Sequence, residues 1–164
     1  MIKNQLIIHL GHKKKVWWKC NKGDDHEWEA SIGSRTGTNK NGCPICHGLI
    51  VVKSNCLKTL NPDLSSQWHP SKNGDLTPSD VTLNSNKKVW WKCDKGDDHE
   101  WEQNVSNRNN NNSGCPVCNG NKVVKSNCLS TTHPELIKEW DFNKNKVSPE
   151  KINFGAHIKV WWKC

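Results

Sequence analysis

Apolar and polar residues alternate over short stretches of this chain, and those stretches recur. In residues 27–32, Trp28, Ala30 and Ile32 alternate with Glu29 and Ser31, the two-residue period of a half-buried strand. Residues 15–19 read Lys-Val-Trp-Trp-Lys, and Val and Trp suit a pleated surface. The two stretches predict a pair of strands. Residues 88–102 repeat residues 15–29 with one difference, Asp94 for Asn21, so a second pair is expected there. Short helices are expected at Asn61-Pro62-Asp63-Leu64-Ser65-Ser66-Gln67-Trp68 and at His133-Pro134-Glu135-Leu136-Ile137-Lys138-Glu139-Trp140. Each has Pro at the first helical position, an acid in the first turn, and a Leu and a Trp four apart on one face. Thr77-Pro78-Ser79-Asp80-Val81 and Ser148-Pro149-Glu150-Lys151-Ile152 open the same way on a smaller scale. Residues 109–112, all asparagine, form an expected polar loop, the counterpart of 36–40.

The string Val-Trp-Trp-Lys-Cys occurs three times, ending at Cys20, Cys93 and Cys164, so the repeating unit is slightly over 70 residues. Two copies open a ligand pattern. Cys20, His26, Cys43 and Cys46 follow C-x5-H-x16-C-x2-C, and Cys93, His99, Cys115 and Cys118 follow C-x5-H-x15-C-x2-C. Three thiols and one imidazole at these spacings predict a closed, tetrahedral Zn2+ site of the structural kind, two ions per chain. Gly42-Cys43-Pro44-Ile45-Cys46-His47-Gly48 reads as a zinc knuckle, in which glycine permits the turn and backbone N–H groups donate to thiolate. Cys164 is read as the first ligand of a truncated third module. Cys56 and Cys128 lie in two copies of Val-Val-Lys-Ser-Asn-Cys-Leu and read as small buried residues, with replacement of His26 or His99 as the rival role.

Nine cysteines would otherwise suggest a secreted disulfide scaffold. The odd count, the metal spacing of six of them and the absence of a signal peptide in the first residues favour zinc. No apolar stretch approaches the ~20 residues of a membrane span, so the chain reads as soluble and intracellular, cytoplasmic in a prokaryotic or phage setting. Hydrophobic content of 33% and a mean hydropathy of −0.87 leave a thin core. Ten tryptophans offset this in part, since each ring buries about 150–250 Å²; metal has to supply much of the rest. The formal charge is +8. Three thiolates and one Zn2+ carry −1 per site, so two sites lower +8 to +6. That surplus points to a polyanionic partner, with a merely solubilising lysine surface as the alternative.

Together these residues resemble a family of zinc-ribbon or treble-clef-like repeats from bacterial, phage and large-virus proteins. Its unit runs from a Pro-x-Leu-x-x-x-Trp helix, through a Trp-Trp-x-Cys strand and a Gly-His-x-Trp step, to Cys-Pro-x-Cys-x-Gly. The likeness spans residues 14–164. Carried over, it implies the same eight ligands and places Arg35 and Arg108 where the family keeps an Arg. One departure stands out: the family has three residues between the first Cys and the His, and this chain has five, which makes Asp24 or Asp25 a rival oxygen ligand. The resemblance implies zinc binding, and more loosely nucleic-acid binding beside nuclease domains; no nuclease domain is visible here.

The expected nucleic-acid contacts are Lys13, Lys14, Lys15, Lys19 and Arg35 in the first copy, with Lys87, Lys88, Lys92 and Arg108 in the second. The alternative is a strand edge guarded by lysine against aggregation. Successive tryptophans, Trp17-Trp18 and Trp90-Trp91, point to opposite faces; one of each pair should cover the zinc hairpin while the other packs on a helix or stays exposed. Glu27 and Glu100 follow the His as in catalytic zinc motifs, but Cys3His fills all four positions, so no enzyme is expected. The expected whole is a small metal-stabilised α+β chain of tandem zinc-ribbon or treble-clef-like β-hairpin modules joined by short helical connectors. Module 1 spans 1–50, a connector 51–86, module 2 87–122, and a second connector with the start of a third module 123–164. The expected function is non-catalytic binding of nucleic acid, double-stranded DNA ahead of RNA, with no membrane and no small-molecule substrate. A protein-interaction array and the targeting module of a nuclease in a longer parent chain are the alternatives.

Overall fold

The chain forms two hairpins of near-identical sequence, each carrying short helices; the computed structural model describes residues 14–38, 41–111 and 113–164. It divides into two units, Met1–Pro62 with Pro78–Leu83, and Asp63–Thr77 with Asn84–Cys164. In the first, β1 (Lys15–Lys19) pairs antiparallel with β2 (Glu27–Ser31), Trp17 opposite Glu29 and Trp18 opposite Trp28. The pleat puts Lys15, Trp17 and Lys19 with Glu27 and Glu29 on one face, and Val16 and Trp18 with Trp28 and Ala30 on the other. Only the second face is covered: Trp28, Cys43 and Ile45 form a buried cluster with Trp18, Cys20, Ala30 and Val52 against it.

Helix α1 (Ile32–Thr36) follows β2 directly, because Ser31 Oγ caps it by accepting from Ser34 N–H at 3.2 Å. The apolar alternation had extended the strand to Ile32; the cap ends it one residue earlier. Beyond the knuckle, α2 (Leu57–Leu60) is fastened when Leu57 N–H donates to the Val81 carbonyl at 2.8 Å, beside a 3₁₀ turn at Pro78–Asp80. Leu57 and Val81 are buried.

Helix α3 (Pro62–Ser66), all but its first residue in the second unit, has Pro at its start and Leu64 buried as the Leu/Trp spacing predicts. The stretch after it lies along the edge of β3 (Lys88–Lys92), whose partner is β4 (Glu100–Asn104). Gln67 C=O accepts from Lys92 N–H at 2.8 Å and His69 N–H donates to Trp90 C=O at 3.0 Å. The His69 ring fixes the turn: Nδ1 accepts from Ser71 and Lys72 N–H, which leaves Nε2–H to donate to Glu100 at 2.9 Å. Lys72 and then His69 hold the Glu100 carboxyl down at about 2. Helix α4 (Val105–Asn110) takes in two of the asparagines expected in a loop, and it is anchored by buried Val105 and Arg108. Then come α5 (Leu129–Thr132) and 3₁₀ turns at Pro134–Glu139 and Pro149–Lys151, around a cluster of Leu129, Trp140 and Ile152. Among the described residues no helix is long and apolar enough to cross a membrane.

The paired tryptophans separate by face, Trp18 and Trp91 on the inner side of their hairpins and Trp17 and Trp90 on the outer. Trp91 is fully buried, with Trp68 meeting it edge-on at 5.4 Å, whereas Trp17 is 70% exposed. Trp91→Ala should therefore lower stability by about 3–5 kcal/mol, and Trp17→Ala by less than about 0.5 kcal/mol. Denaturant unfolding of the zinc-loaded chain checks both values.

Candidate metal centres

Each hairpin ends in a ligand and is followed by the knuckle that completes the set. In the first, Cys20 N–H donates to His26 C=O at 3.0 Å, and His26 N–H donates to Gly23 C=O at 3.2 Å. The five-residue loop thus turns back so that Cys20 and His26 face the same point. Gly23 has to be glycine: a Cβ there would lie 2.6 Å from the His26 ring, and Gly96 stands in the same relation to His99. The knuckle turns through Gly48 at φ +70 and Gly120 at φ +72, the left-handed region.

The eight expected ligands come together as two groups, Cys20, His26, Cys43 and Cys46, and Cys93, His99, Cys115 and Cys118, with the donor atoms of each within 4.8 Å of one another. Cys20 and Cys46 Sγ are 3.7 Å apart, and His26 Nδ1 lies 3.8 Å from Cys43 Sγ and 3.4 Å from Cys46 Sγ. In the second centre the corresponding distances are 3.8, 3.8 and 3.4 Å. A tetrahedron with Zn–S near 2.3 Å and Zn–N near 2.0–2.1 Å has edges of about 3.8 Å between sulfurs and about 3.6 Å from sulfur to nitrogen. The residues fit the ion. These are two Cys3His tetrads positioned for metal, matching two zinc ions per chain.

The thiols show why a cation belongs there. Desolvation, then hydrogen bonds from Cys20 and Cys43, push the Cys46 thiol up to about 11. Cys118 rises to about 11 in the same way, with Cys93 and Cys115 as its neighbours. Burial also works against Cys43 ionising, but the N–H groups of Cys46 and Ile45 and the adjoining thiols outweigh it and bring Cys43 down. Zinc would hold all three as thiolates and pin the hairpin to the knuckle.

Behind each imidazole stands a pair of residues that the spacing did not single out. Ser54 N–H and Oγ–H donate to the two oxygens of Asp25, at 2.9 and 2.6 Å, and Ser54 Oγ lies 3.3 Å from His26 Nε2. Since the hydroxyl proton goes to Asp25, Oγ accepts from Nε2–H, and the tautomer leaves Nδ1 free to bind metal. Ser126, Asp98 and His99 repeat the arrangement at 2.9, 2.7 and 3.3 Å. Hydrogen bonds from Ser54 and Ser126 hold Asp25 and Asp98 below the usual carboxylate range. Asp25 is therefore engaged behind the ligand, and Asp24 lies outside the tetrad. Next to Ser54, Asn55 Nδ2 donates to the carbonyls of Ile45 and Ile50, and Asn127 does the same for Val117 and Lys122. This gives the Val-Val-Lys-Ser-Asn-Cys-Leu string its work: Ser orients the His, and Asn ties down the knuckle. Its Cys is buried, and Cys56 and Cys128 stand outside both tetrads.

The expected basic face is only partly present. Lys13 lies outside the described residues. Lys14, Lys15 and Lys87 are exposed and Lys92 half-buried, none with a carboxylate partner among the described residues. Lys19 pairs with Glu27 and Lys88 with Glu102, each at 2.9 Å. The arginines require a correction: they sit on the opposite face. Arg108 is only 6% exposed; its guanidinium lies 5.5 Å from the Trp91 ring and 5.4 Å from Trp101, and donates to Gln67 Oε1 at 2.6 Å. Arg35 stacks on Trp18 and Trp28 at 5.0 and 5.3 Å. Both follow a strand whose inner face carries the tryptophans, so the ring faces draw the cations inward. The carboxylates after the His are also occupied, Glu27 by Lys19 and Glu100 by His69 and Lys72.

A family model described as Probable Treble clef zinc finger domain matches residues 6–49, 64–121 and 136–164, well over half of the chain. No curated protein matches it.

Replacing Ser54 and Ser126 with Ala should weaken zinc binding by about 10–100-fold while leaving two ions per chain at saturation. Competition with a chromogenic chelator measures this. Because the Cys46 and Cys118 thiols, pushed up to about 11, have to lose their protons to bind zinc, affinity should rise with pH, and proton release should appear in calorimetry repeated in buffers of different ionisation heat.

Proposed function

Since the chain belongs to the probable treble clef zinc finger family, we propose that it is a zinc-stabilised, non-catalytic module that binds nucleic acid, double-stranded DNA ahead of RNA. The observation that carries this reading is the basic surplus. It stands at +6 after both centres are filled, and the exposed Lys14, Lys15 and Lys87 at the entry to the hairpins are not spent on carboxylates among the described residues. Lysine without an internal partner is the residue that releases counterions from a phosphate backbone. The arginines are taken up by tryptophan, so they supply no base readout, and the proposed binding is to backbone rather than sequence. The non-catalytic part rests on coordination: four protein ligands leave no position for water or substrate. A nuclease acting with this module would have to supply its own chemistry.

Exposed Trp17 and Trp161 favour a second reading, docking of another polypeptide. Titration of a labelled duplex separates the two. With six or more phosphates contacted, affinity should fall by roughly three orders of magnitude between 50 and 200 mM salt. Replacing Lys14, Lys15, Lys87 and Lys88 together with Gln should abolish duplex binding. Binding that survives the replacement, or ignores salt, would contradict the proposal.

A further inference from the structure

The chain contains Asn-Gly steps at Asn41-Gly42, Asn73-Gly74 and Asn119-Gly120. Asparagine is a labile residue, most of all before glycine, where no Cβ hinders the next peptide nitrogen from reaching the side-chain amide. The fold treats the three steps differently. Asn73 is held at both ends of its amide: Nδ2 donates to Trp90 C=O at 3.0 Å and Oδ1 accepts from Trp90 N–H at 2.8 Å. Gly120 is built into the second knuckle, where its N–H donates to Val117 C=O at 3.1 Å and Asn119 N–H donates to Cys115 C=O at 3.1 Å. Asn41 and Gly42 are both exposed, and both line the cavity beside the first knuckle, so water reaches the peptide between them. The main chain of Asn41 is engaged: its N–H donates to Ser34 C=O at 3.1 Å, and its C=O accepts from Arg35 Nη1. Among the described residues nothing holds the Asn41 amide or the Gly42 N–H. The second copy has Ser113-Gly114 at this place, so the units differ in whether they carry the step.

We propose that Asn41 is a site of spontaneous deamidation, converted by water to a mixture of aspartate and isoaspartate while the chain is folded. The Gly42 nitrogen attacks Cγ of Asn41 and forms the C–N bond of a cyclic imide. Its proton and the amide NH2 leave together as ammonia. Water then adds to one of the two imide carbonyls and breaks that carbonyl's bond to nitrogen. Opening at Cγ gives aspartate, with the main chain as before. Opening at the other carbonyl gives isoaspartate, in which the main chain runs through Cβ and Cγ. The group that accepted from Arg35 then becomes a free carboxylate beside that guanidinium, which stacks on Trp18 and Trp28 and has a buried Nε without a partner. The main chain between Arg35 and Cys43 gains one carbon, so the first knuckle loses its fixed distance from the hairpin and Cys43 its approach to the ion. Either product adds a negative charge, lowering the zinc-loaded chain from +6 to +5. The first centre ages by this route and the second does not.

Peptide mapping by mass spectrometry of the zinc-loaded chain, stored in warm neutral buffer and sampled over weeks, tests this. Asn41 should convert at least about ten times faster than Asn73 or Asn119, because those two react only after local opening. In chain unfolded by chelator and urea, the three steps should convert at similar rates. Stored wild type should also give up one of its two zinc ions to a competing chelator several-fold faster than fresh wild type. Asn41→Ser, which gives the first unit the residue of the second, should be unchanged by storage. Equal rates at the three steps in the loaded chain, earlier conversion at Asn73 or Asn119, or the same differences after unfolding would overturn the proposal. Zinc release that quickens as much in stored Asn41→Ser would overturn the link to the first centre.

Discussion

The four-ligand junction between hairpin and knuckle is the constraint from which the rest of each unit follows. Two five-residue strands form a hairpin that is marginal in water. The first cluster buries little more than Trp28, Cys43 and Ile45. Structural zinc contributes about 10–16 kcal/mol of apparent binding energy in small domains, and that energy is folding energy when the site does not exist in the unfolded chain. Geometry then propagates outward. The imidazole must present Nδ1, so Nε2 is held by Ser54 and Ser54 by Asp25. The knuckle must keep its turn, so Asn55 spans its carbonyls.

Charge follows from the same junction. Three thiolates and a divalent ion leave a negative centre; in the second unit burial lowers the Arg108 guanidinium from its ordinary value, and Cys115 and Cys93 offset part of that by favouring its charged form. An arginine that looks free in the sequence is thus spent on the zinc core and its tryptophans. The hairpins' outer faces carry Glu as well as Lys, which leaves the lysines at the hairpin entry as the groups open to a polyanion. The two units have also diverged beside their knuckles. A cavity of about 710 Å³ lined by Trp28, His47, Leu49 and Ile50 corresponds to one of about 390 Å³ lined by Trp101, Asn119, Asn121 and Lys122. Gln103 at the place of Ala30 bonds Trp101 Nε1 and Ser113.

Much of this was legible in the sequence. The strands follow from alternation and the ligand groups from spacing, because both are short-range and their chemistry names the residue type. Helices α1 and α4 were not legible, since Ile32–Thr36 and Val105–Asn110 lack an apolar period and depend on a cap at Ser31 or on burial of Val105. The two arginines were misplaced because basic character in a sequence does not reveal which face a side chain joins. Asp25 and Ser54 are 29 positions apart, so their pairing behind His26 had no local signal. The identical Val-Val-Lys-Ser-Asn-Cys-Leu strings were the available clue. The unequal burial of Trp18 and Trp91, which hold the same place in identical strands, had no signal in those strands, because it is Trp68 from outside the strand that meets Trp91 edge-on.

X-ray absorption at the zinc edge of the purified chain tests the central claim most directly. Two zinc ions per chain, each with three sulfurs near about 2.3 Å and one imidazole nitrogen near about 2.0 Å, is the predicted result. A shell containing carboxylate oxygen, a fourth sulfur or an exchangeable water would contradict it.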